Sequence, residues 1–317
     1  MSVPRGSEAV GAADLLAQRE RTLVMGVVNV TPDSFSDGGQ WFEPEAAIRH
    51  GREVLAAGAD LVDVGGESTR PGAQRPSVEE ELRRVLPVVA ALASAGAVVS
   101  VDTMRAQVAR AAVEAGAALV NDVSGGLADA AMVPFVAGAG VPYIAMHWRG
   151  HSTSMQSLAH YGDVVGDVCR ELGSRRDALL RAGVAEHLLV LDPGLGFAKT
   201  AEHNWALLAA LPALRDLGHP LLLGASRKTF LGRLDRLGRL GRLDDEQQLR
   251  PAAERDVETA AVSVLAAMAG VWCVRVHDVA STVRALAVVD ATLAHAPRPD
   301  PQDGRADGGA GVGVVGR

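Results

Sequence analysis

Residues able to grip a small polar molecule recur in this sequence at one kind of place, the end of a short apolar run. The run at 23–28 breaks at Asn29 into a polar stretch with Thr31, Asp33, Ser34, Ser36 and Asp37. Later runs end in Asp63 to Gly72 (with Glu67, Thr69 and Arg70), Asp102-Thr103, Asn121-Asp122, His147-Trp148-Arg149, Asp192-Pro193-Gly194 and Ser226-Arg227-Lys228. The last ends in Arg275 and His277-Asp278. A single polar residue at such a place only caps the next helix. Eight sets that mix Asp, Asn, Lys, Arg and His point instead to a polar small-molecule site.

The mixture has a chemical sense. Asp102, Asn121 and Asp192 beside Lys228 suit a flat, neutral ring edged with both donors and acceptors. Ring N–H groups would donate to the carboxylates, and a ring carbonyl or nitrogen would accept from Lys228. Lys228 opens a stretch read as helical, where a cation opposes the helix dipole, so a ligand explains it better than local structure does. Arg275 and His277 open the last helix, where N-terminal amides also favour anions. The ligand expected is a polar heterocycle carrying a phosphate group. Asp63 and Asp122 are read as rim supports, His147 as a buried histidine more than a ligand contact, and Asp33 and Asp37 as turn residues or ligand contacts.

The elements that must carry these residues follow from a repeat. A helix ending in Gly, then an apolar strand, recurs with Gly58, Gly96, Gly116, Gly140, Gly183, Gly218 and Gly270. Glycine suits the position just past a helix because it takes φ > 0 without a Cβ clash. The predicted strands are 23–28, 61–64, 98–101, 118–120, 143–146, 188–191, 221–223 and 273–276. They are mostly continuous apolar runs, the mark of parallel strands covered on both faces. Pro44 opens the first helix, and Ser77-Val78-Glu79-Glu80 reads as a capping box for the second. Eight strands alternating with helices over roughly 250 residues suit one closed (β/α)₈ TIM barrel, and an open doubly wound sheet is the alternative. In a barrel the strand ends converge on the C-terminal rim.

Three pieces fall outside the repeat. Residues 1–20 read as a flexible N-terminal leader, 21–296 as the barrel, and 297–317, rich in Gly, Pro and Asp, as a disordered C-terminal tail. Residues 233–253 read as a charged insertion after the seventh strand. The chain has 317 residues, 48% of them hydrophobic and 3% aromatic, so Ala, Val and Leu build the core. A net charge of −7 argues against non-specific nucleic-acid or anionic-membrane binding. Neither a signal peptide nor a membrane span is visible, and the cytoplasm is the expected location. Cys169 and Cys273 are read as buried, unpaired thiols. The sequon at Asn29 is set aside because an acceptor Asn belongs on a surface loop of a secreted protein. Phe197-Ala198-Lys199-Thr200 fails as a P-loop, since Pro193 and Ala198 stand where that pattern needs Gly.

Seven blocks, 25–39, 63–72, 100–103, 121–122, 191–196, 224–228 and 275–279, resemble in order the signature blocks of the dihydropteroate synthases. The resemblance spans roughly residues 22–295. It implies a transferase of folate biosynthesis that joins 6-hydroxymethyl-7,8-dihydropterin diphosphate to 4-aminobenzoate, a Mg²⁺ cofactor and a homodimer. By position, it implies that Asn29 binds the metal with the diphosphate. Asp102, Asn121, Asp192 and Lys228 would hold the pterin, and Thr69, Arg275 and His277 the diphosphate. Phe35, Arg70, Pro71, Lys228 and Thr229 would shape the aminobenzoate pocket. Arg275, His277, Lys228 and Asp192 are the residues expected to carry catalysis. Thr229 replaces a common Ser, Trp148 a common Met, and the 233–253 insertion is longer than usual. A catalytically silent pterin-binding paralogue and a pterin-dependent methyltransferase domain are the other readings.

Overall fold

The computed structural model describes residues 16–17, 21–31, 44–68, 75–151, 155–234 and 249–296. Eight parallel strands alternate with helices in a single sheet of order β6-β5-β4-β3-β2-β1-β8-β7. They are β1 (Leu23–Asn29), β2 (Leu61–Gly65), β3 (Val99–Asp102), β4 (Leu119–Asp122), β5 (Tyr143–Met146), β6 (Leu189–Asp192), β7 (Leu222–Leu223) and β8 (Cys273–Val276). A parallel bridge between Leu191 and Leu221 joins β6 to β7 and brings the ring round on itself. The barrel is the (β/α)₈ form, not the open sheet. It contains no helix long and apolar enough to cross a membrane among the described residues.

Alternation along each strand divides its residues between two layers. Leu23, Met25, Leu61, Leu119, Ile144, Val190, Leu222 and Cys273 form one buried cluster inside the ring. Val24, Val62, Val64, Val99, Val101, Val120, Leu191 and Val274 pack outward against the helices. Both faces of each strand are therefore apolar, which is why the sequence shows runs and no alternation. Leu16, inside the span read as a loose leader, is buried against the inner cluster.

The strands run one or two residues further than the apolar runs. Asn29, Asp102, Asn121, Asp122 and Asp192 are their last members and not loop residues. Step two residues on from the inner cluster along each strand and Asp63, Asn121, Asp192 and Arg275 share its face. A period of two thus fixes which rim residues point into the mouth.

The helices are α1 (Pro44–Ala56), α2 (Val78–Ser94), α3 (Ala106–Glu114), α4 (Met132–Ala139), α5 (Val164–Arg181), α6 (Ala201–Ala209), α7 (Leu211–Arg215), α8 (Asp256–Met268) and α9 (Val279–Ala294). All seven glycines read as helix stops have φ between 64 and 110°. Only half of the capping box forms: Ser77 Oγ accepts from Glu80 N–H at 3.2 Å. The Glu80 carboxylate turns to Arg83 and Arg84 instead, because charge-assisted bonds outweigh one to a backbone amide. Cys273 is buried and Cys169 only half-buried, and neither is in a disulfide. Of the insertion, 235–248 lie outside the described residues, as does the tail 297–317. Its ends are single 3₁₀ turns, Leu231–Arg233 and Ala252–Arg255.

Candidate active site

A buried polar cluster crosses the barrel mouth. Arg275, from β8, donates through Nε to Asp63 Oδ2 (2.6 Å) and through Nη2 to Asp102 Oδ2 (2.9 Å). Asn121 Nδ2 donates to the same Asp63 oxygen at 2.9 Å. Asp63 is fully buried, and its Oδ1 has no hydrogen-bond partner. It acts as the anchor that orients Arg275 and Asn121, the supporting role read from the sequence. Gly65 makes room for this: a Cβ there would lie 3.3 Å from Asp102 Cβ.

Burial pushes the Asp102 carboxyl up to about 8. Arg275 opposes the rise, and Asp63, Glu67 and Glu81 add to it. A ligand donating N–H groups to Asp102 favours its anion, so such binding releases protons near neutral pH. Asp192, on the far side of the mouth, is also raised by burial, with Lys228, the Gly194 amide, Lys199 and Arg275 holding it down. Its Oδ1 accepts from Gly194 N–H at 2.7 Å.

Lys228 approaches Asp192 from the β7 side. Its ammonium donates to Leu195 O and lies 4.7 Å over the Phe197 ring. Removal from water lowers its pKa to about 8 against the pull of Asp192. The residues after Lys228 form a turn and then a short 3₁₀ stretch, with no α-helix. The helix-dipole conflict read from sequence is therefore absent, and what marks Lys228 is its partial burial beside a carboxylate. Thr229 follows it and is exposed.

Ser226 fixes His277. The hydroxyl lies 2.8 Å from His277 Nδ1 and accepts from His277 N–H at 3.1 Å. A hydroxyl that donates to Nδ1 assigns the ring proton to Nε2. Asp278 caps α9 by accepting from Ser281 N–H at 3.2 Å, so His277 stands just before a helix N-terminus. Asn29 ends β1 half-buried, with no side-chain hydrogen bond among the described residues. Asp122 faces the helix layer and takes Ser124, Gly126 and the Tyr143 hydroxyl. Phe35, Thr69, Arg70 and Pro71 lie outside the described residues, as do Asp33 and Asp37.

Comparison with known proteins places this geometry. A model of the pterin binding enzymes matches residues 25–277. The dihydropteroate synthase of Mycobacterium leprae is 54% identical over 276 residues, 87% of this chain and 95% of that protein. The chain belongs to the dihydropteroate synthase family. A Xanthomonas albilineans dihydropteroate synthase solved with 4-aminobenzoic acid aligns at a TM-score of 0.78 and 45% identity, covering 87% of this chain and 94% of that one. Another solved structure of the enzyme from that organism, in complex with 7,8-dihydropteroate, aligns at 0.76 and 42%, over 88% and 96%.

Set in that family, the barrel holds mouth residues that sequence reasoning passed over. Phe197 sits under the Lys228 ammonium. Lys199, seen only as part of a failed P-loop, is buried and bonded to His147. Glu171 on α5 is the partner of both His147 and Arg149. Nothing in local spacing joins residues 147, 171 and 199. The available signal was a lysine three residues beyond Gly196 in a Gly-rich strand end.

Proposed function

We infer that this chain is a transferase of folate biosynthesis that condenses 6-hydroxymethyl-7,8-dihydropterin diphosphate with 4-aminobenzoate to give 7,8-dihydropteroate and diphosphate. The observation that carries the reading is the Asp63–Arg275–Asp102–Asn121 cluster facing Asp192 and Lys228 in one mouth, within a chain of this family. Asp102, Asn121 and Asp192 accept and donate along the polar edge of the pterin, and Lys228 supplies a donor for its acceptors. Arg275 and His277, at the end of β8 beside the α9 N-terminus, are placed to meet the negative charge of a leaving diphosphate. The methylene C–O bond breaks with its electron pair going to diphosphate. The aminobenzoate nitrogen then forms the new C–N bond and gives up one proton. No side chain need become a covalent nucleophile.

We assign the metal role to Asn29. Among the described residues no three His, Cys, Asp or Glu side chains group as a metal cage. A lone amide oxygen fits Mg²⁺ when the remaining ligands are substrate phosphate and water. Bound Mg²⁺ would neutralise charge on the departing diphosphate.

The test is a coupled assay of diphosphate release. Release is expected only with both substrates and Mg²⁺, and EDTA is expected to stop it. Pterin binding with no turnover under these conditions would mark a silent paralogue instead.

We also propose a cytoplasmic homodimer. Val257, Leu265 and Met268 on α8, and Val288 and Leu293 on α9, are large apolar side chains exposed to solvent on helices that pack side by side. Positions 257, 261, 264, 265 and 268 recur at helical spacing and are all apolar. An exposed apolar face of this kind marks an interaction site. Leu265→Glu combined with Met268→Glu is expected to halve the mass seen by light scattering. A wild-type chain that runs as a monomer would retire the dimer.

A further inference from the structure

The loop between β6 and α6 is held by donors on several sides. Lys199 Nζ donates to Gly194 O (3.1 Å) and to Phe197 O (3.1 Å), and lies 3.0 Å from His147 Nδ1. Lys228 takes the carbonyl between them, Leu195 O. The loop's own N–H groups are used as well: Gly194 to Asp192 Oδ1 and Gly196 to Asn204 Oδ1, each at 2.7 Å. His147 is set in turn. Its backbone N–H donates to Asp192 O at 2.8 Å, and its Nε2 lies 3.0 Å from Glu171 Oε2.

The loop shows why such holding is needed. Ala198, just before Lys199, has φ 49°, a left-handed conformation that costs a non-glycine residue about 1–2 kcal/mol. Strain of this kind persists only where the surroundings over-determine it. Gly194 and Gly196 have φ of 68 and 78° and admit no side chain: a Cβ on the first would come within 2.6 Å of His147 O. Three donors on one ammonium match three acceptors, so Lys199 is satisfied only by this loop shape.

We propose that Lys199 is a positioning residue for the pterin face, holding the 193–198 loop so that Asp192 and Phe197 are presented to substrate, with His147 and Glu171 orienting its ammonium. The proposal rests on the pterin reading of this mouth. Lys199 is buried and spends its bonds on the loop and on His147, so it acts through the loop and through charge. The charged groups that face Asp192 are Lys228, Lys199 and Arg275, and all three favour its ionised form. Those that face Lys199 are Asp192 and Glu171, which favour its charge, and Lys228 and Arg149, which oppose it. Burial leaves the Lys199 ammonium at about 7. His147 is neutral at that pH, since burial lowers it to about 4 despite Glu171. A neutral imidazole that donates Nε2–H to Glu171 leaves Nδ1 to accept from Lys199.

Deleting the ammonium then has two consequences. The loop loses two bonds and His147 one, and Asp192 loses a cation that favours its anion. The Asp192 pKa rises, so pterin affinity falls off at a higher pH on the acid side.

The experiment titrates 6-hydroxymethyl-7,8-dihydropterin diphosphate into wild type, Lys199→Met and Lys199→Arg by calorimetry, from about pH 5 to about pH 8. Lys199→Met is expected to bind about tenfold or more weakly, with its acid limb moved to higher pH and with KM raised more than kcat is lowered. Lys199→Arg keeps the charge and is expected to keep the wild-type acid limb. A folded Lys199→Met protein with wild-type affinity and acid limb overturns the proposal, and an Arg variant that shifts like Met overturns the charge part of it. If the Met variant does not fold, Glu171→Ala decides. Its side chain is a third exposed, and its loss should leave a folded protein that binds the pterin about threefold more weakly. Unchanged affinity in that variant counts against the relay. Wild type that fails to bind the pterin would instead remove the reading of the mouth itself.

Discussion

Lys228→Met is expected to lower kcat/KM for dihydropteroate formation by about a hundredfold or more, the usual consequence of deleting one preorganised donor in a dry site. The fold should survive. Lys228 is the cation that most favours the Asp192 anion, ahead of Lys199 and Arg275, and it also covers the Phe197 ring. Methionine keeps the aliphatic packing against Gly196, where a Cβ would meet Lys228 Cδ at 2.9 Å.

Stability moves the other way. A lysine whose folded pKa is about 8, against an ordinary value of 10.5, binds fewer protons folded than unfolded. Its contribution to stability is fully present above the unfolded value and is lost as pH falls through about 8. At pH 7 the charge therefore weighs against the ligand-free fold, and Lys228→Met should unfold at the wild-type temperature or above it. The advantage of the variant should shrink between about pH 8 and pH 10.5. The checks are steady-state kinetics and thermal unfolding across that range. Wild-type turnover in the variant would mean that Lys228 does not face the reacting ring.

Asp63→Ala should damage fold and activity together. Asp63 is fully buried and accepts from both Arg275 and Asn121. Its removal leaves the Arg275 guanidinium with Asp102 alone and the Asn121 amide without its acceptor. Breaking a buried ion pair by deleting one partner costs about 3–5 kcal/mol. A large drop in Tm is expected, with pterin binding lost because Arg275 and Asn121 lose the oxygen that aims them. Asp63→Asn retains the shape and one acceptor oxygen, and should fall between Ala and wild type. The measurements are differential scanning calorimetry and pterin titration. A wild-type Tm in Asp63→Ala would show that Asp102 by itself suffices to hold Arg275.

These variants differ in how readily the sequence pointed to them. Lys228 is marked in the sequence by its place at a strand end, although no α-helix begins there. Asp63 was read as a support, and the support it gives is to two residues, one 58 and one 212 positions away. Lys199 carries no such signal beyond a P-loop pattern that fails, because its partners His147, Gly194 and Phe197 come together only through the turn after β6.

The barrel itself was legible in the sequence because its causes are local. Apolar runs long enough for one buried strand, glycines that stop helices, and a cap at Ser77 each act within a few residues. Eight such runs, seven of the glycine stops and the helices between them determined the fold class, and placed Asn29, Asp102, Asn121, Asp192, Lys228, Arg275 and His277 at strand ends. Tertiary structure decided what those ends do to one another. Only closure of the ring brings β8 against β1 and sets Arg275 between two carboxylates from β2 and β3. Only burial in that ring lifts Asp102 and lowers Lys228 toward the same pH, since desolvation depends on everything packed around a group and not on its neighbours in the chain.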